Sequence, residues 1–181
     1  QHHERVSLDV LGSTLDGRDM DRLTVGEAGA GKKTIWVIAR QHPGETMAEW
    51  AAEGVLQRLL DDVDPVIRDL LDKAVVHVVP NMNPDGAFRG HLRTNAKGVN
   101  LNREWDKASL ESSPEVFHVL AAMRRTGVDL FLDMHGDEAL PYNFIAGAEG
   151  TPGWDDAAKA LLELYKSELA RFNPDFQTEH G

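Results

Sequence analysis

Arg40-Gln41-His42-Pro43-Gly44-Glu45-Thr46-Met47-Ala48-Glu49-Trp50 decides how this chain is read. Before it stands Thr34-Ile35-Trp36-Val37-Ile38-Ala39, a short apolar run rich in β-formers, which predicts a buried strand. After it, Met47, Trp50, Ala51, Val55 and Leu59 recur at helical spacing with Glu49, Glu53, Gln57 and Arg58 elsewhere, which predicts an amphipathic helix from about Met47 to Leu60. Gly54 weakens that helix but suits close packing. The stretch is therefore a strand-to-helix turn. In open α/β sheets, ligands bind at such turns, at the carboxyl ends of the strands.

His42 and Glu45 lie three residues apart in this turn, and His135 closes a second apolar run, Val128-Asp129-Leu130-Phe131-Leu132-Asp133-Met134. Taken singly, each has an ordinary reading. Glu45 can complement the positive end of the helix it opens, His42 can be a turn residue, and His135 a strand-end histidine. Together, two His and one Glu with a fourth position left to water are the ligand set of a catalytic zinc site rather than of a closed structural one.

At 181 residues the chain has the size of one domain with a sizeable core, and 41% hydrophobic and 27% charged residues are ordinary for a globular protein. No run of 18 apolar residues predicts a membrane span. Cysteine is absent, which removes disulfides, thiolate zinc sites and thiol nucleophiles and fits a reducing, cytoplasmic compartment. Residues 1–3 contain His2 and His3, which resemble a tag remnant and are set aside from the metal argument. The net charge of −11 argues against nucleic acid as a partner. Against that background Arg89, His91, Arg93, Lys97 and Arg103 form a basic island without an acid, which suggests a locally bound anion; a solvated loop is the ordinary alternative.

The flanking segments predict an α/β sheet with helices on both faces. Glu4 to Val10 and Asp19 to Val25 alternate around Asp16-Gly17, a hairpin signal. A short helix to Leu71 and a strand from Ala74 to Val79 follow. Pro80 to Trp105 predicts a long ordered loop, dense in Pro, Asn and Gly. Ser113-Pro114-Glu115 predicts a helix start with Ser113 as cap. A strand from Pro141 to Ala146, a helix from Trp154 to Phe172 with Asp155 and Asp156 in its first turn, and a strand beginning at Phe176 complete the expectation.

Three motifs now stand in one order: HPGE at 42–45, NPDG at 83–86 with Arg93 and NLNREW at 100–105, and DMHGDE at 133–138. This set resembles the zinc metallocarboxypeptidases of the carboxypeptidase A-like family, most closely the bacterial relatives of cytosolic carboxypeptidases. The resemblance implies a three-layer α/β/α fold with a mixed, mostly parallel sheet, and one zinc ion per chain held by His42, Glu45 and His135. It also implies Arg93 at the scissile carbonyl and its oxyanion, and Asn102 with Arg103 on the terminal carboxylate of a peptide or protein. An arginine fork suits a planar carboxylate. Asp133, two residues before His135, is placed to support a ligand histidine, or is simply a polar strand-end residue. Asn100 stands where some members carry an acid.

The family's general-base glutamate and capping tyrosine come late in its domain. Glu168 and Glu179 stand in no matching motif, so residues 4–181 are expected to form the first part of a catalytic domain that is incomplete at the C-terminus. The function implied is hydrolysis of a C-terminal peptide or isopeptide bond. Two alternatives remain: an aspartoacylase-like amidohydrolase of N-acyl amino acids, and a zinc- or peptide-binding module without catalysis.

Overall fold

The structure is a computed structural model that describes residues 5–137, 139–140 and 142–178. His2, His3, Glu4, Glu138, Pro141 and Glu179, all singled out above, lie outside the described residues. The chain divides into two compact units, Gln1–Gly136 and Asp137–Gly181.

The first unit is built on a five-stranded sheet of order β1-β2-β4-β3-β5. β1 (Val6–Ser13) and β2 (Asp19–Val25) form the antiparallel hairpin at one edge, turning at Gly17 with φ 80°. β2 pairs antiparallel with β4 (Ala74–Val79), which runs parallel to β3 (Lys33–Ala39), and β3 runs parallel to β5 (Leu130–Met134). The sheet is thus mixed, with β4, β3 and β5 as its parallel part. Every residue of β4 is buried, as expected of a strand covered on both faces.

Alternation along β3 sends Trp36 and Ile38 to one face. There they pack with Met20, Val79, Met82 and Leu101 against Val116, Val119, Ala122 and Met123 of α4 (Pro114–Thr126). Val37, Val76, Val78 and Val25 face the other way, against Leu59 of α1 (Thr46–Leu59) and Ile67 and Leu71 of α2 (Pro65–Lys73). This is the three-layer arrangement. Parallel pairing of Ala39 with Met134 brings the ends of β3 and β5 side by side, so the turn after β3 and His135 share one sheet edge.

The expected loop from Pro80 to Trp105 is only partly a loop. It contains α3 (Pro84–Arg89) and a 3-10 turn, Leu101–Arg103. Both are too short to show an apolar period, and their starts come from side-chain caps. Asn83 Oδ1 accepts the Gly86 N–H at 3.0 Å, and Asn100 Oδ1 accepts the Asn102 N–H at 3.0 Å. The hairpin holds α3 in place: fully buried Asp85 accepts from Thr14 Oγ1 at 2.7 Å, Asp16 N at 2.9 Å and Arg18 Nη1 at 2.8 Å. Ser113 precedes α4 but does not cap it with its side chain; its hydroxyl donates to Glu104 Oε2.

In the second unit, α5 (Asp156–Phe172) starts after Asp155, whose side chain accepts the Ala158 N–H at 2.8 Å, so Asp155 is the cap rather than part of the first turn. Residues 142–146 and 176–178 form no strand among the described residues. Their pattern suits extended chain, but a strand exists only where a second extended segment pairs with it.

Two substitutions test this packing. A Cβ at Gly86 would stand 2.4 Å from Pro43 Cγ and 2.5 Å from the Thr94 carbonyl oxygen, so Gly86→Ala must push α3 off the turn after β3. A loss of about 1–3 kcal/mol in denaturant unfolding is expected.

Glu115 is fully buried at the start of α4, with Oε2 near Asn95 Nδ2 at 3.3 Å and Oε1 without a hydrogen-bond partner among the described residues. Burial above all, then the nearby charges of Asp85 and Asp16, push its carboxyl up to about 7. Because the folded protein holds this proton more tightly than the unfolded chain, the associated stability is full below pH 4.5 and is lost as pH rises through 7. Glu115→Gln should therefore match the parent near pH 4 and exceed it at pH 8, by up to about 3 kcal/mol, in chemical unfolding across that range.

Candidate metal centre

The turn after β3 is shaped by backbone demands. Arg40 leaves the strand with φ 57°, a left-handed conformation that costs a non-glycine residue about 1–2 kcal/mol. Its side chain offsets this by donating from Nε to the Pro43 carbonyl at 2.9 Å and pairing with Glu49 on α1. Gly44 N donates to the Leu92 carbonyl at 2.9 Å, and a Cβ there would lie 2.7 Å from Leu92 Cδ1. The HPGE motif thus needs its glycine because the 86–95 segment lies against it.

Glu45 occupies the cap position of α1, yet its side chain makes no capping hydrogen bond. It turns inward instead. Its Oε1 stands 2.7 Å from His42 Nδ1, and its Oε2 stands 2.8 Å from His135 Nδ1 and accepts the Gly136 N–H at 3.1 Å. His42 and Glu45 are 1% and 3% exposed, and the two imidazole centroids lie 4.9 Å apart. One potential ligand atom from each of His42, Glu45 and His135 lies within 4.8 Å of the others, so the three could hold a metal ion.

The outward nitrogens are also engaged. His42 Nε2 lies 3.0 Å from Asn100 Oδ1, and His135 Nε2 lies 2.9 Å from Asp133 Oδ2. With a metal in place, an oxygen on the outer nitrogen would favour the neutral tautomer whose Nδ1 lone pair faces inward; this is clearest for His135, since Nε2 of His42 also faces an Arg93 N–H. Two imidazoles and a carboxylate converging this way fit zinc.

The electrostatics favour positive charge among these groups. Burial works against ionisation of Glu45, but hydrogen bonds from His135, His42 and the Gly136 N–H outweigh it and hold the carboxyl well below its ordinary range. For His135, burial is likewise outweighed, by Asp133 and then Glu45, and its ring is lifted to about 9.

The basic island separates into parts. Arg89 is paired with Asp16 through Nε at 2.8 Å and Nη2 at 2.6 Å, and Lys97 with Glu111 at 3.2 Å. Those two charges serve the scaffold. Arg93 reaches the cradle: Nη1 donates to Glu45 Oε1 at 3.2 Å, and Nη2 lies 3.3 Å from His42 Nε2. Asn102 and Arg103 stand one link further out, on the 3-10 turn joined to His42 through Asn100. Arg103 is exposed, with Nη1 on the Asn102 carbonyl at 2.8 Å and no carboxylate partner among the described residues. Glu168 pairs with Arg171 on α5.

Two residues escape the sequence reading. Gln41, fully buried, and Trp105, partly buried, meet through a 2.9 Å hydrogen bond from Trp105 Nε1 to Gln41 Oε1. The available signal is a glutamine wedged between an apolar strand and His42.

A family profile described as zinc carboxypeptidase matches residues 1–174. An uncharacterized protein of Zymomonas mobilis is 56% identical over 176 residues, covering 97% of this chain and 46% of that protein. Mouse cytosolic carboxypeptidase 1 is 34% identical over 119 residues, 62% of this chain and 10% of that one. Among solved structures, a metallo-carboxypeptidase from Pseudomonas aeruginosa in complex with (2-guanidinoethylmercapto)succinic acid superposes with TM-score 0.93 at 49% identity, covering 98% of this chain and 47% of that one. A metallo-carboxypeptidase from Burkholderia cenocepacia gives TM-score 0.95 at 48% identity, with 100% and 50% coverage. The chain spans about half the length of these bacterial relatives. With the fold, the motif order and the converging His-Glu-His cradle agreeing with these matches, the chain belongs to the zinc carboxypeptidase family.

Proposed function

We propose that this chain carries the metal cradle and the carboxylate grip of a zinc-dependent carboxypeptidase, which hydrolyses the C-terminal bond of a peptide or protein. The observation that carries this reading is the convergence of His42, Glu45 and His135 with the Arg93 guanidinium at their rim. His42, Glu45 and His135 hold one zinc ion. When bound, zinc polarises a carbonyl and lowers the pKa of a coordinated water to about 7.

Arg93 has a half-exposed side chain, so it can serve both the cradle and a substrate carbonyl beside it. A cation aimed at the oxygen on which negative charge develops stabilises the transition state more than the ground state. Asn102 and Arg103 hold the substrate's terminal carboxylate, with the N–H groups of Arg103 that Asn102 does not use forming the fork. In a chain of net charge −11 these two arginines are the local attraction for an anionic end group. Glu45 is committed to the cradle and Glu168 to Arg171, so neither is assigned the general-base role. The succinic acid derivative bound by the Pseudomonas relative is a carboxylate compound of the kind such a grip would take.

Metal analysis of the purified full chain should find one zinc, and peptides with a free C-terminus should be cleaved while their amidated forms are not. A chelator should abolish this cleavage and zinc restore it. Arg103→Ala is expected to raise KM about 10- to 100-fold with little change in kcat, as for the loss of a charged hydrogen bond. Arg93→Ala should lower kcat about 10²- to 10³-fold. An unchanged KM in Arg103→Ala would remove the grip assignment. Faster turnover of N-acetylaspartate than of any peptide would favour the amidohydrolase alternative.

A further inference from the structure

Four side chains from three separate segments form a line of hydrogen bonds ending at the cradle. Trp105 Nε1 donates to Gln41 Oε1 at 2.9 Å, Gln41 Nε2 donates to Asp133 Oδ2 at 2.5 Å, and the same oxygen lies 2.9 Å from His135 Nε2. His135 Nδ1 then faces Glu45 Oε2 at 2.8 Å. The order is fixed by what each group can do. An indole N–H can only donate, so Gln41 must offer it the carbonyl oxygen. The Gln41 amide is thereby oriented with its NH₂ toward Asp133. A carboxylate oxygen that receives this N–H also receives the Nε2–H of His135, so in the neutral ring that a metal ligand requires, Nδ1 is the nitrogen with the free lone pair. Reversing the Gln41 amide would set its N–H against the indole N–H and its oxygen against the Asp133 carboxylate, and turning over a neutral His135 ring would set its Nε2 lone pair against Asp133; a cation between Nδ1 and Glu45 Oε2 would complete the pattern.

The first two members are firmly anchored. Gln41 is fully buried, and its backbone carbonyl accepts from Asn83 Nδ2 at 3.0 Å. Trp105 packs against the main core cluster, and its ring lies 5.6 Å from Phe131 on β5. The line thus crosses from the end of the NLNREW segment, through the turn after β3, to the end of β5.

We propose that Trp105, Gln41 and Asp133 form a polarity-fixed relay that selects Nδ1 of His135 as the nitrogen offered to the metal, with Gln41 as its central positioning residue. The proposal rests on the reading of His42, Glu45 and His135 as a zinc cradle. Gln41 touches neither the metal nor the substrate in this scheme; it acts through Asp133. Its conversion to an apolar residue of similar length frees Asp133 and His135 to adopt other pairings.

The test measures zinc affinity of the full chain by competition with a chromophoric chelator, with the visible spectrum of the cobalt-substituted protein as a second readout. Gln41→Met should weaken zinc binding about 10- to 100-fold, as for other partners that orient a ligand histidine, and alter the cobalt spectrum. Trp105→Phe, which removes the N–H and keeps the ring contact, should weaken it several-fold. In the double variant the Trp105→Phe effect should vanish, because the link it breaks is already gone. Thermal unfolding of the zinc-free proteins checks that each variant folds; if Gln41→Met does not, Trp105→Phe and Gln41→Glu carry the test, the latter keeping an acceptor for Trp105 while setting an oxygen against Asp133. Variants that bind zinc within twofold of the parent with an unchanged cobalt spectrum overturn the relay alone. Effects that simply add in the double variant show independent packing roles and overturn it too. A parent chain that takes up no zinc overturns the cradle reading and the relay with it.

Discussion

A buried carboxylate governs this structure. Glu45 sits at the start of α1 with 3% of its surface exposed, where an unpaired charge would cost several kcal/mol. It is not used to cap the helix, the role in which a solvent-screened acid would be cheap. Instead the chain brings four donors to it: two imidazoles, the Gly136 amide and the Arg93 guanidinium. These come from the turn after β3, the end of β5 and the segment after α3. The proposed cation would meet the same need with a larger charge. Much of the first unit serves to make these three pieces meet.

The meeting is enforced by close backbone approach more than by long side chains. Gly44 lies on Leu92, and Gly86 lies on Pro43 and Thr94, at distances that leave no room for a Cβ. Arg40 accepts a left-handed backbone so that the chain can turn sharply out of β3. Asp85, wholly buried, collects three donors from the hairpin turn and thereby fixes α3 against the sheet. The long segment between β4 and α4 is accordingly a scaffold with the proposed substrate-facing residues on it. Arg89 and Lys97 belong to the scaffold, and Arg93 and Arg103 to the proposed site.

What was legible in the sequence depended on whether a signal was local. β3 and α1 were legible because burial imposes an apolar run or a period on the chain itself, β5 because its own sequence is an apolar run, and α4 from the Ser113-Pro114-Glu115 start signal. The cradle was legible because the proposed ligands fall in the turn that follows β3 and at the end of β5, and parallel pairing of β3 with β5 suits the alternation of strands and helices. α3 was not, since six residues cannot show a helical period. Nor were the partners of Arg89, because Asp16 lies 73 positions away. Ser113 carried the composition of a cap, but tertiary contact with Glu104 drew its hydroxyl elsewhere. Gln41 looked like filler between a strand and a ligand; its partners Trp105 and Asp133 are 64 and 92 positions distant.

The two histidines of the cradle are supported unequally, and the inequality has a consequence for the site as a whole. Asp133 behind His135 is an acid, and a carboxylate on the outer nitrogen makes an imidazole a more basic ligand. Asn100 behind His42 is neutral and makes two contacts with one oxygen, to His42 Nε2 and to the Asn102 N–H. An acid at position 100 would give up little as a partner for His42. It would, however, place a negative charge on the very turn that carries Asn102 and Arg103. There it would compete with a substrate carboxylate for Arg103 and repel that carboxylate as it arrived. In a chain with an excess of eleven negative charges, such competition would be felt strongly. Keeping the acid behind His135 and the amide behind His42 strengthens one ligand without charging the proposed carboxylate grip.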